Sequence, residues 1–158
     1  MAAQLWLLRH GEAEPHDARP DPERRLTARG EDQSRAAGRA LAAMEIAFQA
    51  VYTSPKVRAA QTAALACEAL GNEPVEHAAL AEGFDAADAR ELLLSCGPDE
   101  RILVVGHNPD FVHVVHDLTG ARVDFKKGGV AGIRADGSRA ELVVLMRPRE
   151  LDRVGATP

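Results

Sequence analysis

Four side chains able to handle an anion stand directly after short apolar runs. Arg9-His10-Gly11 follows residues 5–8, Ser54 and Arg58 follow a run ending at Thr53, and Gly106-His107-Asn108 follows residues 102–105. Arginine presents a planar fork of donors that matches the oxygens of a phosphate. A neutral imidazole carries a lone pair and can act as base or nucleophile. Arg58 falls in the first turn of an expected helix, where free N–H groups and the helix dipole also favour an anion. Two arginines and two histidines at one place would make an anion pocket. Such a pocket can neutralise the equatorial oxygens of a transferred phosphoryl group with protein cations. The motifs include no metal-ligand set, P-loop or GxGxxG, so no metal and no cofactor are expected.

For these residues to meet, the apolar runs must be parallel strands, because ligands of open α/β sheets bind outside the carboxyl ends of the strands. The segments between them read as crossovers. Residues 15–22 form a polar, Pro-rich loop. Thr27 then offers an N-cap, and Ala36, Ala37, Ala40, Leu41 and Met44 make an apolar helical stripe. Residues 48–53 read as a strand. Ser54-Pro55 reads as a helix start, with Ser as N-cap and Pro at the first helical position, and the helix runs to Leu70 before Gly71. Residues 74–76 suit a short strand and residues 86–95 a helix. Pro109-Asp110 opens another helix, with Phe111, Val114, Val115 and Leu118 on one face. Residues 130–134 and 141–145 flank the turn signal Asp136-Gly137. From about Arg149 the chain reads as a frayed tail. The expectation is one α/β domain over residues 1–158: a three-layer sandwich with a mostly parallel central sheet flanked by helices, and an antiparallel hairpin at the C-terminal edge.

Composition narrows the partners. The 158 residues are 46% hydrophobic and 27% charged, the size and mix of one globular domain. A net charge of −5 argues against nucleic acid and against an anionic membrane, and 4% aromatics is too few for a base-stacking platform. Cys67 and Cys96 form neither CxxC nor zinc spacing and read as free thiols. The N-terminal apolar run is broken at Arg9, so it reads as neither signal peptide nor membrane span. A cytoplasmic protein is expected.

Leu8-Arg9-His10-Gly11-Glu12 resembles the RHG motif of the histidine phosphatase superfamily, the clan that includes cofactor-dependent phosphoglycerate mutases. Leu26-Thr27-Ala28-Arg29-Gly30 resembles the family's LTxxG helix start. Thr53-Ser54-Pro55-Lys56-Val57-Arg58-Ala59-Ala60-Gln61-Thr62-Ala63 resembles its SPLxRAxQTA segment, and Val105-Gly106-His107-Asn108-Pro109 its second-histidine motif. The four run in family order, and the short chain and GHNP form are most similar to SixA-type phosphohistidine phosphatases. The resemblance implies that His10 is the nucleophile that takes the phosphoryl group. Arg9, Arg58 and His107 would bind that group and stabilise the transition state, with Asn108 as a further substrate contact. The family's general acid corresponds to residues 80–85, with Glu82 the first candidate and Asp85 the second; the longer acid motif is not reproduced. An imidazole leaving group, with a pKa of about 6.5, needs such an acid less than an alkoxide does. The implied activity is a metal-independent phosphatase whose partner is a phosphorylated substrate, such as a phosphohistidine-bearing protein. The alternatives are a small-molecule phosphomonoesterase or mutase of the same superfamily, and a phosphate-binding module without turnover.

Other polar groups have plainer readings. His113, His116 and Asp117 suit a wet helix face, and His16 and Asp17 a surface loop. Arg24-Arg25 would pair with Glu23 or reach a phosphoprotein. Lys126-Lys127 reads as a solvated turn and Ser54 as a helix cap.

Overall fold

The computed structural model describes residues 2–156. Ala3–Arg9 forms β1 and Arg101–Gly106 forms β4, paired in parallel with Leu5 opposite Ile102 and Leu8 opposite Val105. Both runs are apolar at successive positions because both faces of the sheet are covered. Strand alternation sorts them. Leu5, Leu7, Ile102 and Val104 enter one core, while Trp6, Leu8, Leu103 and Val105 enter the other. Ala50–Thr53 (β2) lies parallel on the far side of β4, and the two-residue Val75–Glu76 (β3) lies parallel beside β2. Val130–Asp136 (β5) runs antiparallel along β1, and Arg139–Met146 (β6) antiparallel along β5. The sheet order is β3-β2-β4-β1-β5-β6. The β5–β6 hairpin turns at Gly137, whose φ of +62° costs a glycine nothing.

Ala28–Ala43 (α1) and Val57–Leu70 (α2) cover the Trp6 face with Ala37, Ala40, Ala59, Ala63 and Ala66, all fully buried. Ala86–Leu93 (α3) and Asp110–Thr119 (α4) cover the opposite face, where larger side chains fill the space, among them Phe84, Phe111, Leu118 and Phe125. The architecture is the expected α/β sandwich with a mostly parallel sheet and an antiparallel hairpin at one edge.

Several boundaries, such as the end of α3 at Leu93 and the ends of β5 and β6, shift by one or two residues, and three differences change the reading. β2 starts at Ala50, because Phe48 is buried in the core below the strand. α2 starts at Val57 with Lys56 as its N-cap residue, so Ser54 does not cap it. The expected frayed tail is Pro148–Gly155, a helix (α5). Pro148 stands at its first turn, Arg147 N donates to Glu150 Oε1 at 3.0 Å, and Leu151 is 0% exposed. Leu151 is its one fully buried side chain, with Val154 packed on the same core, which is too little periodic signal to read from sequence. Among the described residues no helix is long and apolar enough to cross a membrane.

Candidate active site

Three strand ends are tied together by their backbones. His10 N donates to Gly106 O at 3.1 Å, Ser54 N to Val105 O at 3.0 Å, and Arg9 N to Gly129 O at 3.1 Å. The loop after His10 then presses against the start of α1. A Cβ on Gly11 would lie 2.5 Å from Gly30 O, and one on Gly30 would lie 2.0 Å from Glu12 O. Only glycine fits at either position. Gly11 N donates to Thr62 Oγ1 at 3.2 Å, and that hydroxyl donates to Arg58 O at 2.7 Å, which ties the start of α2 to the same loop.

This scaffold brings His10 and His107 together, with ring centroids 5.2 Å apart and each residue 6% exposed. His10 Nδ1 lies 2.7 Å from Gly11 O. A carbonyl only accepts, so Nδ1 carries the proton and Nε2 carries the lone pair. Burial, the largest cause, pushes His10 down from 6.5 to about 3; the Gly11 bond opposes this, and the charges of Arg58, Arg9 and Lys127 add to it. Burial also lowers His107 to about 3, with His10, Arg58 and Lys56 adding to the effect and Asp21 opposing it. Both imidazoles are therefore uncharged at neutral pH. His107 Nε2 meets Ser54 Oγ at 2.8 Å, and Ser54 Oγ also accepts from Lys56 N at 3.1 Å. Ser54, read from sequence as a cap, is instead the group that orients His107.

The two arginines stand close enough to the His10 imidazole for their charges to act on it. Arg9 Nη1 donates to Phe125 O at 2.7 Å, and Asn108 Nδ2 donates to the same carbonyl at 3.0 Å. Asn108 thus helps to hold the group that positions Arg9. Arg58 is 5% exposed; its Nη1 donates to Asp21 O at 2.8 Å and its Nη2 to Asp21 Oδ2 at 3.3 Å. Asp21 sits in a 3-10 turn, Asp21–Glu23, of the Pro-rich loop, and its carboxylate also meets Lys56 Nζ and Arg24 Nη2, each at 3.0 Å. Burial would raise the Asp21 carboxyl, but the bonds from Lys56 and Arg24 and the charge of Arg58 override it and hold the group well below the usual carboxylate range. Arg24 is itself buried, paired with Asp21 rather than with Glu23. The residue sequence reasoning missed is Asp21. Its only local sign is an acid three positions before Arg24, flanked by Pro20 and Pro22.

Among the described residues, the buried side-chain polar atoms without a partner are Arg9 Nε, Arg58 Nε, His107 Nδ1 and Asn108 Oδ1. All four belong to this cluster. A buried polar group left unpaired costs about 1–3 kcal/mol, so such groups are rare away from places where a ligand meets them. Three of the four are nitrogens able to donate to an oxyanion.

Glu82 is exposed, in the loop that follows the 3-10 turn Ala78–Leu80. That loop is held to the start of α4 by a bond from Gly83 N to Asp110 Oδ2 at 2.9 Å, three residues beyond His107. Asp85, the second acid candidate, is committed elsewhere: its carboxylate accepts from Asp88 N at 2.9 Å and caps α3. Among the described residues, no three His, Cys, Asp or Glu side chains gather as a metal-holding group, and His113 and His116 stay on their helix face.

Known proteins share this arrangement of elements. A family model described as the histidine phosphatase superfamily (branch 1) matches residues 5–91. An uncharacterised protein of a Picosynechococcus strain is 32% identical, over 94% of this chain and 98% of its own length. The protein histidine phosphatase SixA, in a complex with tungstate, superposes with a TM-score of 0.85 at 26% identity, over 94% of this chain and 99% of that one. A phosphoserine phosphatase of Entamoeba histolytica in complex with 3-phosphoglyceric acid has the same fold, with a TM-score of 0.72 at 17% identity, over 94% of this chain and 99% of that one.

Proposed function

The chain belongs to branch 1 of the histidine phosphatase superfamily, and from that premise we propose a phosphatase that works through a phosphohistidine at His10 and acts on phosphohistidine carried by a protein. The observation that carries this reading is the buried, uncharged imidazole pair beside two guanidinium groups whose Nε donors have no partner among the described residues.

In the first step the lone pair on His10 Nε2 attacks phosphorus. The bond from phosphorus to the leaving nitrogen or oxygen breaks, its electron pair departs on that atom, and the atom takes up a proton from solvent. Arg9, Arg58 and His107 hold the equatorial oxygens, where charge must be neutralised. Water then attacks the phosphorus of phospho-His10. The P–N bond breaks, its electron pair returns to Nε2, and inorganic phosphate leaves. The depressed His10 pKa keeps the attacking nitrogen unprotonated, and the Gly11 carbonyl fixes the tautomer that leaves Nε2 free. A bound phosphate dianion favours the protonated form of His107, which can then donate to it.

A protein substrate is supported by the likeness to SixA and by how residues 71–100 are used. Leu80, Phe84, Ala89 and Leu92 of that stretch are buried in the core, so its helix covers the sheet instead of standing over the site. The second reading is a small phosphomonoester, and Glu82 is the observation that favours it. It is exposed and its carboxyl is bonded to none of the described residues, so in its acid form it is free to hand its proton to a departing alkoxide.

The test compares a phosphohistidine-bearing carrier protein with a panel of sugar and glycerate phosphates. The carrier is expected to react at least about tenfold faster, because imidazole is the better leaving group. His10→Ala is expected to lose about a thousandfold or more of the rate with its fold intact, and to lose an acid-labile phosphoryl label that the parent protein carries. Full activity in His10→Ala would overturn the nucleophile. Faster turnover of an ester, lost in Glu82→Gln, would replace the protein substrate with the small one.

A further inference from the structure

A trough of about 830 Å3 opens beside the phosphoryl site. It shares Arg9 with the imidazole cluster but is not lined by His10, Arg58 or His107, so it is a neighbour of that site and not the site itself. Six of its lining side chains are cations: Arg9, Arg29, Lys126, Lys127, Arg147 and Arg149. Three are anions. On a chain with a net charge of −5, this local excess runs against the average. Four of the cations are answered by carboxylates of the protein, Arg29 by Glu12 at 3.7 Å, Lys126 by Asp124 at 2.9 Å, and Arg147 and Arg149 by Glu150 at 2.9 and 3.8 Å. Lys127 is exposed and makes no ion pair among the described residues.

The position of Lys127 is set by the backbone of the nucleophile. Gly128 N donates to both Arg9 O and His10 O, at 3.0 Å each, and Gly129 N closes the turn on Lys126 O at 2.9 Å. Its ammonium is close enough to be one of the charges that keep His10 unprotonated. A free cation carried on such a turn, facing a roomy trough that begins at a phosphate-binding arginine, is arranged to meet negative charge next to the phosphoryl group.

We propose that the trough is a second anion subsite: a substrate whose phosphoryl group sits among His10, Arg9, Arg58 and His107 lays a further carboxylate or phosphate against Lys127. The inference rests on the phosphatase reading of the neighbouring site. That second anion is supplied either by a small molecule with two anionic groups or by an acidic side chain beside the phosphorylated residue of a protein.

Two matched pairs test it in the parent protein, Lys127→Ala and Lys127→Arg. The first pair is read by calorimetry and needs no turnover: phosphonoacetate against ethylphosphonate, which lacks the carboxylate. The second is read as kcat/KM: a phosphohistidine peptide flanked by Glu against the same peptide flanked by Gln. The anionic member of at least one pair is expected to be favoured about tenfold in the parent at low salt. That preference is expected to fall to about twofold or less in Lys127→Ala and to return in Lys127→Arg. The pair that shows the effect identifies the source of the anion. Equal behaviour within both pairs in the parent, or a preference untouched in Lys127→Ala, would overturn the subsite. Failure of the phosphatase reading looks different: no turnover of either peptide or of p-nitrophenyl phosphate, while the phosphonate pair still reports on the trough.

Discussion

At the N-terminal ends of the parallel strands, Gln4 Oε1 accepts from Trp6 Nε1 and from Arg101 Nε, each at 2.9 Å. Beside it, the Glu100 carboxylate accepts from Gly97 N at 2.6 Å and from Gln49 Nε2 at 2.9 Å. The same strands carry, at their C-terminal ends, Arg9, His107 and Asn108 with buried atoms that bond to nothing among the described residues, joined by Arg58 from the first turn of α2. The C-terminal end is the more deeply buried of the two, with His10, Arg58 and His107 buried against a half-buried Gln4, Glu100 and Arg101 and an exposed Gln49, yet it is the end that holds the unpartnered buried atoms. Folding alone has no use for an orphaned donor, so orphans concentrated at one end mark groups kept for something other than the fold. That contrast assigns structure to one end of the sheet and chemistry to the other, and it can be broken from either side.

Among the variants that test this contrast, the largest effect is expected at Arg58. Arg58→Lys keeps a positive charge that can meet Asp21 but removes the planar fork and the unpartnered Nε. Bidentate contact with a phosphoryl group is lost, and kcat/KM is expected to fall about a hundredfold, with unfolding free energy changed by no more than about 1 kcal/mol. Kinetics against phosphohistidine and urea unfolding of the same variant check both halves. A variant with normal kinetics and markedly lower stability would place Arg58 with the structural end.

The next effect is a slope in stability with pH. Both imidazoles are pushed from 6.5 down to about 3 in the folded chain. Between those values the unfolded chain binds protons that the folded chain refuses, so stability rises with pH through that window and levels off above it. The pair is expected to account for a few kcal/mol between pH 4 and pH 7. Asp21, held below the usual carboxylate range, adds a loss of the same sign only as the pH drops into the carboxylate range. Urea unfolding at several pH values should show a shallower slope in His107→Gln. Inorganic phosphate should also flatten it in the parent, because a bound anion favours the charged imidazole. A parent protein equally stable at pH 4.5 and pH 7 would remove the claim that burial holds these histidines neutral.

What could be read from the sequence divides along similar lines. Arg9, His10 and His107 were legible because each follows an apolar run without a break, and a strand end in a parallel sheet has a defined place. Arg58 was legible as a first-turn residue. Asp21 was not, because its role depends on a cation 37 positions away across a loop whose prolines signal only a turn. Ser54 has the composition of a cap, and only the packing of His107 against it, 53 positions on, turns it into an orienting group. The helix α5 hides behind its own polarity. Leu151 alone is fully buried, yet the helix brings Arg147 and Arg149 to the trough beside Lys127. Local pattern predicts elements well when many residues repeat a signal, and poorly when one contact decides.

The smallest effect tests the quiet end of the sheet. Gln4 stands opposite Arg101 in the β1–β4 ladder, and its single side-chain oxygen serves both that arginine and Trp6, which is 5% exposed. Gln4→Ala leaves the indole N–H and one guanidinium N–H without their acceptor. The expected loss is about 1–2 kcal/mol, or roughly 2–8 °C in Tm for a chain of this size. Activity at a temperature well below the transition is expected to stay within about twofold, since additivity holds for sites that share no partner. The comparison fails if Gln4→Ala lowers kcat while leaving Tm unchanged, for then a cluster without an orphaned buried atom, at the opposite end of the strands, would be acting on the chemistry, and orphaned atoms would no longer separate site from scaffold.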